Sequence, residues 1–290
     1  MKPEPLYVKQ AKPFWAHVRT ISQHTGYTDR ATKQIKIPTL NDILESLRAL
    51  GLATNHIIDE KRKPTEFAET LMGYYKHRAE VLNNYVKPRL MDAPAAKALY
   101  EEYKAKLSPR RPPPMNKQNG EKKSPAYLTA LVNMLIEANA DGLDCDYDPR
   151  ELTTVTFNGL PLRTLARRVD GAFTSPVNPI AVWEIKEYYY TTTFGSRVAD
   201  GVYETLLDGM EIEELREQEK IEVKHLLMVD SHFTWWECGR SYLCRIVDML
   251  HMEYVDEVLF GREVVERLPD IVKEWVDIAR AAKGKTPGAS

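Results

Sequence analysis

Three polar side chains suggest a chemistry before anything else about the chain is known. In RRVDGAF, Asp170 stands one hairpin ahead of AVWEIKEYYY, where Glu184 and Lys186 lie two residues apart. Side chains alternate across a β-strand, so Val182, Glu184 and Lys186 share one face while Ala181, Trp183 and Ile185 share the other. The apolar neighbours Val182, Trp183 and Ile185 mark a strand inside a sheet, where charges require partners or a ligand. Carboxylates such as Asp170 and Glu184 are the hard oxygen ligands that Mg²⁺ takes, with waters and substrate oxygens completing its shell. A divalent cation held there would neutralise a phosphodiester and produce a nucleophilic water at neutral pH. Lys186 can orient or deprotonate that water, or stabilise charge on the phosphate, and these roles stay open. An Asp followed later by Glu-x-Lys also occurs as a solvated strand edge or a surface ion pair. Placement within an apolar strand is what favours chemistry here.

The elements that must position these residues are legible in outline. Residues 107–123 hold a proline run among basic and polar residues and read as a linker between residues 1–106 and 124–282, with 283–290 as a flexible tail. After the linker, a helix capped at Ser124 carries Leu128, Leu131, Val132 and Leu135 on one stripe. ELTTVTFNGL, LRTLARRVDGAF and AVWEIKEYYYTTTF read as three strands, SRVADGVYETLLDGMEIEELREQE as a helix, and IEVKHLLMVDSHFTWWE as a fourth strand. A last helical region spans about 241–282, broken near Gly261 and Pro269. Before the linker the chain is mainly helical. TLNDILESLRALGL is capped by Thr39 and ended by Gly51, ATNHIIDEKRKPTEF predicts a short strand with a basic turn, and a longer helix runs from about Thr65 to Tyr85. This is compatible with a winged helix-turn-helix, as it is with other small helical domains.

The element order together with Asp170…Glu184-Ile185-Lys186 resembles the PD-(D/E)XK nuclease superfamily over roughly Ser124 to Phe233. Val169 stands where the motif takes its name from proline. The resemblance implies an α/β (α+β) restriction-endonuclease-like core, a central mixed sheet flanked by helices. It implies Mg²⁺, replaceable by Mn²⁺, held by Asp170, Glu184 and the Ile185 carbonyl, with Lys186 as the third catalytic residue. Glu137, on the preceding helix, would join the metal directly or through water. A Gln-x-x-x-Tyr motif found in some exonuclease members fails, because Ala199 stands four residues before Tyr203. The activity implied is that of an Mg²⁺-dependent endodeoxyribonuclease in restriction or anti-phage defence, a homodimer because two strands need two sites.

Other residues bear on DNA. Arg197, beside Ser196 at a helix start, can contact a phosphate or pair with Asp200 or Glu204. Lys61, Arg62 and Lys63, with Lys33, Lys36 and Arg48, make the N-terminal part a phosphate-contacting candidate. Tyr188, Tyr189 and Tyr190 can stack on bases or pack within the fold. With a net charge of -2, a nucleic-acid surface must be local rather than global. Cys145, Cys238 and Cys244 form no disulfide framework, the N-terminus lacks a secretory apolar core, and no run approaches the roughly 20 apolar residues of a membrane span. The expectation is a cytoplasmic protein. His225, His232, Cys238, Cys244 and His251 lack zinc-site spacing, the aspartates of ADGLDCDYD depart from a calcium loop and read as a turn, and no nucleotide phosphate loop is present. Two alternatives remain: a DNA-binding regulator on a nuclease-like scaffold, and a nuclease subunit that acts within a larger complex through C-terminal helices around Val247 to Val276.

Overall fold

The computed structural model describes residues 1–29, 31–116, 120, 123–191 and 195–284. Its N-terminal part holds α1 (Pro5–Val8), α2 (Lys12–Thr25), α3 (Leu40–Ala49) and α4 (Glu66–Val81). Local chemistry sets their starts. Proline opens α1 and α2, Thr39 and Asp42 cap each other's backbone at α3, and the Thr65 hydroxyl accepts from the Ala68 amide at α4. Phe14, Val18 and Ile21, Ile43 and Leu47, and Leu71, Tyr74 and Tyr75 close one cluster around Ile57. The expected strand and basic turn form only an isolated bridge between Ile58 and Pro64, and no wing strand is present among the described residues. Asp59 consumes the turn, its carboxylate accepting from the Lys63 amide at 2.8 Å.

A π-helical turn (Leu82–Val86) and a 3₁₀ turn (Lys87–Arg89) lead to α5 (Ala93–Leu107), capped by Asp92. α5 does not pack with the N-terminal cluster. Its Ala96 and Tyr100 lie with Leu128, Leu131 and Leu135 of α6 (Tyr127–Asn139) in the next core. The change in packing therefore comes ahead of residue 93, and the proline-rich run 107–123 connects two helices of one layer. Residues 117–119 and 121–122 of that run, and 285–290 of the expected tail, lie outside the described residues. Ser124 does not cap α6: the helix starts three residues later, and the Ser124 hydroxyl donates to the Tyr190 oxygen at 2.7 Å.

The rest of the chain is β1 (Cys145–Asp146), β2 (Thr154–Phe157), β3 (Leu160–Thr164), β4 (Gly171–Phe173), β5 (Ala181–Glu187), α7 (Ser196–Glu219), β6 (Lys224–Asp230), a π-helical turn (His232–Cys238), α8 (Arg240–His251), β7 (Glu257–Phe260) and α9 (Glu263–Gly284). One sheet has the order β1-β4-β5-β6-β7, antiparallel through β5 and parallel beyond it. The fold is α+β, a mixed five-stranded sheet flanked by helices. α6 and α9 cover the face bearing Trp183, Leu226, Met228 and Leu259. α7 and α8 cover the other, where Val182 meets Ile212 and Leu215, and Leu227 and Val258 meet Val202 and Leu243.

Three expectations change. ELTTVTFNGL and LRT form a separate hairpin, β2 with β3, turned by Asn158 and Gly159 at φ 50° and 77°, as a two-residue turn requires. The first strand of the main sheet is instead Cys145–Asp146, inside the segment read as a turn. The C-terminal region contains β7, and α9 runs through Pro269 without a break. Gly261 at φ 50° makes the turn after β7, where a Cβ would lie 2.0 Å from the Arg89 carbonyl oxygen. Among the described residues no helix is long and apolar enough to cross a membrane.

The two parts of the chain are tied by a buried ion pair. Arg78 of α4, fully buried, donates to both oxygens of Asp248 on α8 at 2.9 and 3.0 Å, and the Tyr74 hydroxyl donates to the same carboxylate at 2.6 Å.

Candidate active site

β5 turns Glu184 and Lys186 toward α7, and the antiparallel register that sets Gly171 opposite Trp183 brings Asp170 alongside. The Asp170 amide donates to the Trp183 carbonyl at 3.1 Å and to Glu184 Oε1 at 3.2 Å. In return Asp170 Oδ2 accepts from the Ile185 amide at 2.8 Å. A strand residue's amide and carbonyl project from the same edge, so the Ile185 carbonyl opens toward Asp170 as well. Lys186 Nζ lies 2.7 Å from Glu184 Oε2 and 3.3 Å from Glu204 Oε2. The sequence-derived set of Asp170, Glu184, Ile185 and Lys186 is thus one spatial group, with Glu184 and Lys186 buried.

Three further residues complete the cluster, and no motif pointed to them. Arg167 Nη1 sits 2.9 Å from Glu184 Oε1 and 2.6 Å from Asp208 Oδ2, and its Nη2 is 3.4 Å from Glu204. Glu204 and Asp208 are one helical turn apart on α7, a spacing that puts them on one face and is the only signal the sequence offers. Burial pushes the Glu184 carboxyl up, but Lys186 and Arg167 outweigh it and hold it below its ordinary range. Burial would lower Lys186, yet Glu184 and Asp170 raise it, so it remains an ammonium. Asp208 is pushed up to about 7 by burial and by Glu184, against the pull of Arg167. Its Oδ1 is buried with no hydrogen-bond partner among the described residues. Four carboxylates face two cations in this group, an excess of negative charge.

Other candidate residues lie elsewhere. Glu137 is on α6, which covers the opposite face of the sheet, and it binds the Arg110 amide at 3.2 Å and Nε at 3.0 Å. A metal ligand shared with Glu184 is therefore not its place. The carboxylate that β5 does send toward α6 is Glu187, whose Oε2 accepts from the Thr129 amide and hydroxyl, both at 3.0 Å. Arg197 is exposed on the first turn of α7 and pairs with neither Asp200 nor Glu204 among the described residues. Lys61, Arg62 and Lys63 are exposed in the bridged turn, and among the described residues no ion pair joins them to the cluster. Lys36 pairs with Asp42, while Lys33 and Arg48 are exposed. The three tyrosines are tied within the fold: Tyr188 packs on Trp235, the Tyr189 hydroxyl donates to Asp230, and Tyr190 accepts from Ser124.

Among the described residues no group of three or more His, Cys, Asp or Glu side chains is arranged to hold a metal ion. The oxygen groups gathered here are the carboxylates of Asp170, Glu184, Glu204 and Asp208 and the Ile185 carbonyl.

No curated protein and no solved structure matches the chain. Two family models do. Residues 1–85 match a domain of unknown function, DUF7690, and residues 91–275 match a second, DUF7687. The interval between them coincides with the turns that precede α5, where the packing changes. With most of its length covered by the second match, the chain belongs to the DUF7687 family, a domain of unknown function.

Proposed function

We propose that the chain is a metal-dependent endodeoxyribonuclease of the PD-(D/E)XK kind, hydrolysing DNA phosphodiester bonds in restriction or anti-phage defence as a homodimer. The observation that carries this is the convergence of Asp170, Glu184, the Ile185 carbonyl edge and Lys186 where β4 meets β5. The order of α6, the strands β1, β4 and β5 in antiparallel contact, α7, and then β6 parallel to β5 supports it.

The residues present suit a hard divalent cation. The carboxylates outnumber the cations, and the orphaned Asp208 oxygen belongs to a group with unmet demand for positive charge. Asp170, Glu184 and the Ile185 carbonyl would hold Mg²⁺, or Mn²⁺ in its stead. When bound, the ion supplies charge neutralisation at the phosphate and an acidified water. Lys186, held as an ammonium by Glu184 and Asp170, suits charge stabilisation at a phosphate oxygen better than proton abstraction. Arg167 bridges Glu184 to α7 and fixes the carboxylate in place.

One observation favours a second reading. Both Glu184 oxygens already meet cations, Arg167 at one and Lys186 at the other. A nuclease-like scaffold in a DNA-binding regulator would keep such a closed ion-pair group. Calorimetric titration with Mn²⁺ separates the two. The nuclease reading expects saturable binding in the parent, its loss in Asp170→Ala, and a Lys186→Ala variant that still binds DNA but no longer cuts it. A parent that takes up no Mn²⁺ leaves the scaffold.

A further inference from the structure

Arg245, on α8, is gathered by three tyrosines from three parts of the chain. Its guanidinium lies 4.6 Å from the ring centre of Tyr242, 5.0 Å from that of Tyr27 and 5.9 Å from that of Tyr203. Arg245 Nη1 donates to the Tyr203 hydroxyl at 2.6 Å, and the Tyr203 and Tyr242 rings meet edge to face at 6.3 Å. The other arginines packed near this surface have carboxylate partners. Arg78 takes Asp248, and Arg240 takes Glu237 at 3.6 Å. Arg245 pairs with no carboxylate among the described residues. A guanidinium that is fixed in orientation by aromatic faces and lacks a counter-ion is a prepared anion site, because its planar fork has little orientational freedom left to lose.

The surroundings add a second kind of recognition. Tyr203 is 49% exposed, and Tyr27, Tyr242 and Arg245 are half-buried, so aromatic surface and guanidinium reach solvent together. Arg240 lies over the Trp236 ring and donates to the Lys33 carbonyl, which holds the exposed Lys33 turn against the same helix. Asp200, one turn before Tyr203 on α7, is also exposed. Tyr203 directly precedes Glu204, whose carboxylate meets Lys186 and Arg167. The aromatic group and the candidate active site are thus joined through consecutive residues of α7.

We infer that Arg245, Tyr203, Tyr242 and Tyr27 bind single-stranded DNA, the guanidinium taking a phosphate and the tyrosines stacking on unpaired bases. Base faces are available for stacking only where the strand is unpaired, whereas a duplex offers this surface its phosphates alone. The inference names the substrate of the proposed nuclease and rests on that reading for its link to cleavage: DNA with unpaired bases beside the bond to be cut. Binding itself is measurable without cleavage.

The test is fluorescence anisotropy of the full chain in EDTA with a fluorescein-labelled oligo-dT 12-mer, a duplex of the same length and an oligo-rU 12-mer. Parent protein should bind oligo-dT more tightly than duplex, and Arg245→Ala and Tyr203→Ala should each weaken oligo-dT binding about tenfold, in line with the loss of one base stack. Arg245→Lys, which keeps the charge and loses the fork, should remain weakened. Circular dichroism and thermal melting establish that each variant folds, and if Arg245→Ala does not, Tyr203→Ala and Arg245→Lys carry the comparison. Failure of the parent to bind oligo-dT, unchanged affinity in the folded variants, or equal losses on duplex and single strand would each overturn the platform. Tighter binding of oligo-rU would overturn the assignment to DNA. A chain that binds oligo-dT as expected yet cuts no DNA with Mn²⁺ loses the nuclease reading alone, and one that cuts duplex but ignores oligo-dT loses the platform alone.

Discussion

Arg167 governs what Glu184 can do, because it connects the strand carboxylate to Asp208 in a space closed by α7. Breaking a buried pair from one side leaves an uncompensated charge, which costs more than the pair itself contributes. Arg167→Gln should therefore destabilise the fold by about 3 kcal/mol in urea unfolding. Adding Asp208→Asn should restore part of that loss, since the buried carboxylate that has no other ion-pair partner among the described residues is then neutral, while Glu184 and Glu204 keep Lys186. Additive losses in the double variant would mean that the two groups are not coupled. The Asp170, Glu184 and Lys186 group was readable from sequence because its geometry is local, a strand alternation and a hairpin register. Arg167, Glu204 and Asp208 were not, because the rotation of α7 about its own axis is settled by packing. Glu137 misled for a related reason: chain order says that a helix precedes the sheet, but not which face it covers.

The elements around the site depend on close approach at β4. A Cβ on Gly171 would lie 2.0 Å from the Trp183 ring, and Trp183 is stacked on Trp275 at 5.9 Å between ring centres, with 12° between the planes. The indole has no free direction to yield. Gly171→Ala should cost on the order of 1–3 kcal/mol by overpacking and shift the tryptophan emission. Because Asp170 is the adjoining residue, the variant should also bind Mn²⁺ more weakly, and a variant with parental melting temperature and emission would contradict this account. The helices and long strands β5 and β6 were legible from apolar periodicity. β1 was not, since two residues carry no period and its aspartates suggested a turn. The apolar residues of β2 and β3 misassigned that hairpin to the main sheet, for Phe157 and Leu160 are exposed at 63% and 71% although their pattern resembles that of a core strand. Pro269 was read as a break, but the helix passes through it, with Leu268, Ile271 and Val272 buried on either side to hold it.

Across the whole molecule, two buried acidic residues join parts distant in sequence. Asp248 fastens α4 to α8 through Arg78, so Arg78→Ala should cost about 3–5 kcal/mol, and Asp248→Asn in the same chain should recover part of it. Melting of the single and double variants measures the coupling. Asp230, at the end of β6, accepts from the Met91 amide at 2.7 Å, the Ser231 amide at 2.9 Å and the Tyr189 hydroxyl, gathering the junction before α5, the sheet and the turn after β5. Burial pushes its carboxyl up to about 7, against the lowering effect of these hydrogen bonds. The native state then keeps a proton that the unfolded chain releases from about pH 4 upward, near the ordinary aspartate value. Stability from this group is therefore greatest in acid, declines as pH rises toward 7 and levels off above it. Asp230→Asn cannot ionise and should lack the decline. Melting temperatures measured from pH 4.5 to 8 should show the parent losing ground to Asp230→Asn up to about pH 7 and holding a constant difference beyond. A gap that does not change with pH would mean that Asp230 is ionised throughout and that its three donors outweigh its burial.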